Sequence, residues 1–214
     1  MPERLAGALA RLLALPPTVL PLHGPGARAT AFTSPALADG LARLGYPGLA
    51  YRRRSGPTRN PAALLLSALS LDDLEARLVE ALPWLLLAFE GFEADALVAR
   101  AKASDLQNRL GFTVALAREV AERNPRYRNR ASELRALEGA LERSRLARED
   151  TFCHREESER MRSWLRDHRS DAARHWNILT DLRVESLDYS RYAPTSAAIA
   201  ARRSSASSGR RLLT

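Results

Sequence analysis

The residues of this chain best suited to chemistry are four arginines in a short stretch without acidic residues: Arg52, Arg53, Arg54 and Arg59. Arginine binds phosphate oxygens through paired hydrogen bonds, and clustered cations bind a nucleic-acid backbone with release of counterions. Tyr46 and Tyr51 precede the cluster, and an aromatic ring can stack on a base. The stretch predicts a contact with nucleic acid. The alternative is a solvated loop without a specific partner.

A second candidate lies at the start of a predicted helix over residues 105–123, directly after a shorter helix. Gln107, Asn108 and Arg109 stand there, and these side-chain types suit adenine and guanine edges in the DNA-reading helix of a tightly joined pair. The turn between the helices lacks a glycine, however, and Gly111 inside the second helix indicates close packing of a neighbour. Helix packing is therefore favoured, with Gln107 and Asn108 bonded to buried backbone groups, and DNA contact is the alternative.

Residue spacing gives no indication of catalysis or metal binding. The chain has one cysteine and four histidines, and the adjacent pair Cys153 and His154 is not followed by ligands at zinc-site spacing. A covalent mechanism needs a nucleophile held by a base, and no serine elbow motif occurs. The sequence predicts a non-enzymatic protein with no catalytic residue, metal or cofactor.

Capping residues and apolar periodicity define the elements that carry these candidates. Ser34, Asn60 and Asn124 each precede a proline, which is a typical helix start because the cap accepts an orphan N–H and proline needs none. Together with leucine and alanine at three- and four-residue steps, these signals predict nine helices. They cover residues 2–14, 35–44, 61–69, 71–90, 93–103, 105–123, 125–149, 157–168 and 171–182.

Two of these helices carry predictions about surfaces. In the helix 157–168, Met161, Trp164 and His168 fall on one side, which we expect to continue the apolar face of the following helix. The helix 125–149 has a thin apolar stripe of leucines among many charges. Such a helix lies on the surface or offers its stripe to a partner, so it predicts a homodimer or protein-partner contact.

The predicted fold class is all-α, a multi-helix bundle with one small β-hairpin near residues 29–53. Residues 1–60 are expected to hold N-terminal helices and loops rich in Pro, Gly and Arg. Residues 61–189 form the predicted helical core domain. Residues 190–214, rich in Ala, Ser and Arg, are predicted to be a disordered basic tail, because they cannot bury enough apolar surface to offset their ordering entropy.

The net charge of +8 is concentrated in two segments. The arginine stretch contributes four positive charges and the tail after Asp188 contributes five, so the rest of the chain has a net charge of −1. Attraction for an acidic partner must therefore come from these two segments.

One cysteine fits a reducing compartment, and no apolar run reaches the length of a membrane span. A cytoplasmic location is expected.

The beginning of the chain resembles the closing helix of Xre-type helix-turn-helix domains. The residues that carry this resemblance precede Pro16 and Pro17 and are Leu5, Ala8, Leu9, Leu12 and Leu15. The stretch 81–118 is similar to the region that follows such domains in bacterial regulators and antitoxins. The resemblance implies DNA-binding regulation, with the recognition helix expected upstream of Met1, so no DNA-reading residue is carried over.

These observations predict a non-enzymatic bacterial regulatory protein associated with DNA binding, either a transcriptional regulator or an antitoxin-like protein. The alternative is a helical protein-interaction module, or a subunit of a complex, without direct DNA contact. DNA, a second copy of the chain and a protein partner are the candidate partners.

Overall fold

A computed structural model describes residues 13–20, 33–52, 58–153 and 158–187 of the chain. Two short strands, β1 (Asp150–Thr151) and β2 (Ile178–Leu179), pair in parallel with Asp150 opposite Ile178. The described residues also form eight α-helices: α1 (Ser34–Leu44), α2 (Pro61–Leu69), α3 (Ala76–Ala88), α4 (Ala94–Ala103), α5 (Gln107–Arg123), α6 (Ala131–Glu142), α7 (Glu159–His168) and α8 (Asp171–His175). The predicted all-α class is confirmed.

Capping residues determine where several elements begin. Asn60 accepts a hydrogen bond from the Ala62 N–H before α2, as predicted, and its side-chain amide also donates to the carbonyls of Thr18 and Leu20. It thereby fastens the segment 13–20 to the body of the protein. Helix α1 begins one residue earlier than predicted, because Thr33 rather than Ser34 caps it.

Helix α5 lies at the centre of the fold and packs against α3, α6 and α8. The Trp176 ring is completely buried against Gly111, where an added Cβ would come within 2.3 Å of ring carbons. The predicted role of Gly111, close packing of a neighbour, is therefore confirmed. Phe112 meets Phe152 edge to face at 4.9 Å between ring centroids, which ties β1 to the same helix.

The segment before α3 departs from the predicted helix 71–90, because α3 begins only at Ala76. Residues 70–75 are extended or bent instead. The Leu74 N–H donates to the Cys153 carbonyl, and the Leu71 carbonyl accepts from the Arg109 guanidinium. These long-range bonds occupy backbone groups that a helix would use internally. Helix α3 continues past Pro83 to Ala88.

The predicted β-hairpin near residues 29–53 is wrong for the part of it that the structure describes. Residues 33–52 contain α1 and the 3-10 helix Pro47–Leu49 and no strand. Tyr46 and Leu49 are buried, and the Tyr46 ring lies 5.3 Å from the Trp84 ring. This packing folds the segment tightly onto α3. The observed strands, β1 and β2, come from a different part of the chain.

The predicted helix 125–149 is divided and shorter. A 3-10 helix spans Pro125–Arg130 and α6 ends at Glu142. The apolar stripe of α6 is completely buried inside the protein, chiefly through packing against α5, and consists of Leu134, Leu137 and Leu141. The expectation that this stripe is offered to a second copy or a partner is therefore wrong, since the chain's own core covers it.

The predicted helix 171–182 ends at His175, and β2 follows. The 3-10 helix Val184–Ser186 ends the described part of the chain.

Helix α1 contributes Leu37 and Leu41 to the same hydrophobic core as α2 and α3. The predicted helix 2–14, apart from its last two positions, and the predicted tail 190–214 lie outside the described residues.

Candidate functional site

The structure places part of the arginine stretch at a fixed point on the surface. Tyr51 is 73% exposed and directly precedes Arg52, which lies 3.4 Å from Asp39 of α1 in an ion pair. Buried Tyr46 and Leu49 anchor the residues just before them. Of the two tyrosines predicted to stack on a base, Tyr51 is therefore accessible and Tyr46 belongs to the core.

Arg59 resumes the described chain on the other side of the stretch. It is exposed and directly precedes Asn60, whose bonds to Thr18 and Leu20 hold this end of the stretch. Arg53 and Arg54 lie outside the described residues. Both flanks of the arginine stretch are thus attached to well-packed parts of the protein.

Gln107 and Asn108 are buried at the start of α5. The Asn108 side chain accepts from the Leu146 N–H at 2.8 Å and donates to the Leu146 carbonyl at 2.9 Å. These two hydrogen bonds resemble those between neighbouring strands, and they hold the segment between α6 and β1 against the start of α5. Asn108 thus bonds to backbone groups, as the favoured interpretation expects, although these groups are only partly buried. Gln107 Oε1 is buried without a hydrogen-bond partner among the described residues.

Arg109 is only 7% exposed, and its guanidinium is surrounded by acceptors. Its Nε and Nη2 donate to the two carboxylate oxygens of Asp150 at 2.9 and 3.0 Å, and Nη1 donates to the Leu69 carbonyl at 2.8 Å. Asp72 accepts a further bond at 3.3 Å. Burial by itself would lower the pKa of Arg109, but the bonds to Asp150 and Asp72 raise it above its ordinary value. The three residues 107–109 therefore face the interior and present no edge that a base could reach.

Helix α7 is mostly exposed to solvent, and Leu165 is its one buried residue. Trp164 is 44% exposed, and its ring stacks on that of His168 at 4.3 Å with an angle of 14° between the planes. Met161 is equally exposed. The expectation that these three residues face the core is wrong, because Arg169 and Ser170 interrupt the helix and redirect the chain before Trp176 enters the core.

A carboxylate holds α7 against the body of the protein. Glu149 lies 3.0 Å from Arg166, 3.3 Å from Arg162 and 3.7 Å from Arg169. The hydrogen bonds from Arg166 are the main reason that the pKa of Glu149 is below its ordinary value. The attachment of α7 therefore depends on one leucine and a cluster of ion pairs.

A groove of about 640 Å³ lies between α5, the α7–α8 turn and the 3-10 helix Val184–Ser186. We call it the arginine groove, because five arginines line it: Arg118, Arg123, Arg169, Arg174 and Arg183. His168 also lines it, so the Trp164–His168 stack lies at its edge. No spacing in the sequence indicated this site, since its walls come from segments more than 40 residues apart.

Carboxylates balance part of this charge. Arg123 binds Glu185 at 2.5 Å and Glu119 at 3.3 Å. Burial is the largest influence on Glu119 and raises its pKa above the ordinary value, against the attraction of Arg123 and Arg118. Asp167 and Asp171 also line the groove. The five arginines and four carboxylates that line the groove give a net charge of +1.

The cysteine is not arranged for reaction in the described structure. Cys153 is buried, and burial raises the pKa of its thiol to about 12, so the thiolate is scarce near neutral pH.

Within residues 13–20, 33–52, 58–153 and 158–187, no three His, Cys, Asp or Glu side chains are placed to hold a metal ion. None of the described helices combines the length and apolar composition that a membrane span requires.

No family model matches the chain, and no match is found among curated proteins or solved structures.

Proposed function

We propose that this protein is a non-enzymatic, cytoplasmic bacterial regulatory protein that contacts DNA through the stretch Tyr51–Arg59. The observation that carries the proposal is the placement of Tyr51, which is highly exposed beside Arg52 while its preceding neighbours are anchored in the core. Cations such as Arg52, whose flanking residues are anchored, lose less conformational entropy on binding than cations on a free terminus. The resemblance to the region downstream of Xre-type helix-turn-helix domains supports the same class of function.

The charge distribution of the described surface adds support. Many other described arginines are paired with carboxylates, as where Arg118 binds Glu122 and Glu138 at 2.9 and 2.5 Å. Such pairs cancel much of the field that a phosphate backbone would sense. The stretch 52–59 has no acidic residue of its own. Asp39 is the one carboxylate in an ion pair with Arg52 among the described residues, and it leaves the stretch with a surplus of positive charge.

The test is the salt dependence of duplex binding. Fluorescence anisotropy with a labelled duplex, titrated between low and physiological salt, should show affinity falling steeply for the wild-type protein. Replacing Arg52, Arg53 and Arg54 together with alanine should reduce the slope of log affinity against log salt by about 2.7, since each phosphate contact contributes about 0.9.

A matched control removes the same charge elsewhere. Arg77 in α3, Arg128 in the 3-10 helix Pro125–Arg130 and Arg143 in the turn after α6 are exposed, and their triple alanine variant should retain a slope near that of the wild type. Equal losses in both triple variants would show that net charge alone drives binding. No duplex binding by the folded wild-type protein at low salt would refute the proposal and leave the protein-interaction module as the function to pursue.

A further inference from the structure

The arginine groove has the dimensions and the donors of a small-molecule site. Its volume of about 640 Å³ lies within the range of roughly 300–1,000 Å³ that is common for ligand pockets. It is separate from the arginine stretch in sequence, and its walls are α5, the α7–α8 turn and the segment after β2. Ligand binding in the groove is therefore independent of the proposed DNA contact.

Three of the groove's arginines have hydrogen-bonding capacity that the described residues leave unused. Arg183 donates to the His168 carbonyl but has no carboxylate within ion-pair distance among the described residues. Arg174 pairs at 3.5 Å with Asp171, whose carboxylate is fully exposed. The Arg169 Nε is buried without a hydrogen-bond partner in the described part of the chain. Guanidinium groups favour phosphate oxygens, and the exposed side chains of Arg174 and Arg183 are free to reach one.

The edge of the groove supplies an aromatic surface. The His168 Nδ1 donates to the Trp164 carbonyl at 2.7 Å, which fixes the imidazole over the indole. The pair is a preformed stack at the solvent boundary, with Trp164 half-exposed. Aromatic side chains in this position bind nucleobases by extending the stack, whatever the base.

The carboxylates of the groove narrow the ligand class further. Asp167 lines the groove and has no ion pair among the described residues. A simple polyanion would be repelled by Asp167, Asp171 and the two glutamates. Ribose hydroxyls donate to carboxylates. A ligand that carries a sugar beside its phosphate therefore gains hydrogen bonds that offset this repulsion. The lining thus combines partners for a ring, a sugar and a phosphate.

We propose that the arginine groove binds a nucleoside phosphate, whose base extends the Trp164–His168 stack and whose phosphate is held by Arg174 and Arg183. The same chemistry is offered by a free mononucleotide and by one nucleotide of a single strand. The two sources are separated by experiment.

Tryptophan fluorescence reports on the site directly. The chain has three tryptophans, and Trp84 and Trp176 are buried, so quenching by a stacked base arises from Trp164. AMP, the single-stranded oligomer dT5 and inorganic phosphate are titrated separately at low salt, with calorimetry as a second readout. AMP or dT5 should quench and bind, and phosphate alone should bind at least about tenfold more weakly, because it lacks the stacking group.

Variants assign the binding to the groove. Arg174→Ala with Arg183→Ala should weaken AMP or dT5 binding at least about tenfold, and Trp164→Ala should weaken it similarly by calorimetry. Arg160→Ala, at an exposed position of α7 outside the groove lining, should leave it within about twofold. All four substituted residues are exposed, and circular dichroism verifies the fold of each variant.

The source follows from which probe binds. AMP binding as tight as that of dT5 assigns a free mononucleotide, and dT5 binding at least about tenfold tighter assigns a strand. The variant lacking Arg52, Arg53 and Arg54 should keep the same quenching, which separates this site from the proposed DNA contact. No quenching by AMP or dT5 at millimolar concentration, phosphate binding as tight as that of AMP, or binding insensitive to the Arg174/Arg183 change would each overturn the proposal.

Discussion

Helix α5 buries 13 of its 17 residues, whereas α7 buries one of its ten. Both contain arginine near a carboxylate, but the surroundings differ. Arg109 of α5 is enclosed by Asp150, Asp72 and backbone carbonyls. Arg166 of α7 reaches Glu149 and Glu159 from the surface.

This difference shows that arginine has two separate roles in the protein. Arg109 satisfies acceptors at the end of α2, before α3 and in β1, whereas Arg118 and Arg123 of the same helix line the arginine groove. Arg166 fastens α7 to the protein and leaves the remaining faces of that helix open to solvent. We therefore expect the exposed arginines to take part in binding and the buried Arg109 to stabilise the fold.

The largest effect is expected from Arg109→Ala. The change leaves Asp150 and the Leu69 carbonyl without their buried donor, and breaking such a pair costs about 3–5 kcal/mol of unfolding free energy. Urea denaturation followed by circular dichroism measures this. Arg118→Ala, on the same helix but with partly exposed partners, should cost about 1 kcal/mol or less. Equal costs for the two variants would contradict the distinction drawn for α5.

The packing of α5 is tested next by Gly111→Ala. A Cβ there would lie 2.3 Å from Trp176 ring atoms, so the variant should lose about 1–3 kcal/mol through overpacking, despite the better helix propensity of alanine. Gly139→Ala in α6 is the control, since its Cβ would meet no atom within 4 Å. It should gain about 0.5–1 kcal/mol. Thermal unfolding of both variants gives the comparison, and a stabilised Gly111→Ala protein would refute it.

The smallest global effect is expected from Glu149→Gln, below about 1 kcal/mol, because its ion pairs are partly solvated. Locally, amide exchange of α7 should become several-fold faster than in the wild type, while that of α5 stays unchanged. Glu159→Gln, which removes a highly exposed partner of Arg166, serves as the control and should change α7 little.

The same cluster predicts the effect of pH. The pKa of Glu149 is lower in the folded protein than its ordinary value of 4.5, so its contribution is fully present above pH 4.5 and is lost as the pH falls through the lowered pKa. After correction for intrinsic exchange, α7 of the wild-type protein should therefore lose protection in acid before α5 does. Glu149→Gln should not show this difference, and an equal acid loss in that variant would exclude Glu149 as its cause.

Local signals in the sequence locate one helix and one close packing contact correctly. Asn60 and the following proline predicted α2 at its observed bounds, and Gly111 predicted a close neighbour. The α3 start and the α6 end were misplaced, because residues 70–75 and 143–149 are held by contacts about 40 positions away, including those of Asn108. No local pattern encodes such partners.

The two candidate sites also differ in how well the sequence predicts them. The arginine stretch was found from composition alone, since charge runs are visible in sequence. The arginine groove was not, because Arg123 and Arg183 come together only through the packing of α5 against the chain after β2. The Arg, Asp and His residues between positions 166 and 175 are typical of an ordinary solvated helix and do not indicate a site.

The bonds of Arg109 have a consequence for how the chain reaches its folded state. Its partners lie 40 residues before it, at Leu69, and 41 residues after it, at Asp150. Two loops of nearly equal length must close on one side chain, and each closure loses entropy before the contact is gained. We infer that α5 gains this contact late in folding, so that Arg109→Ala should accelerate unfolding far more than it slows refolding.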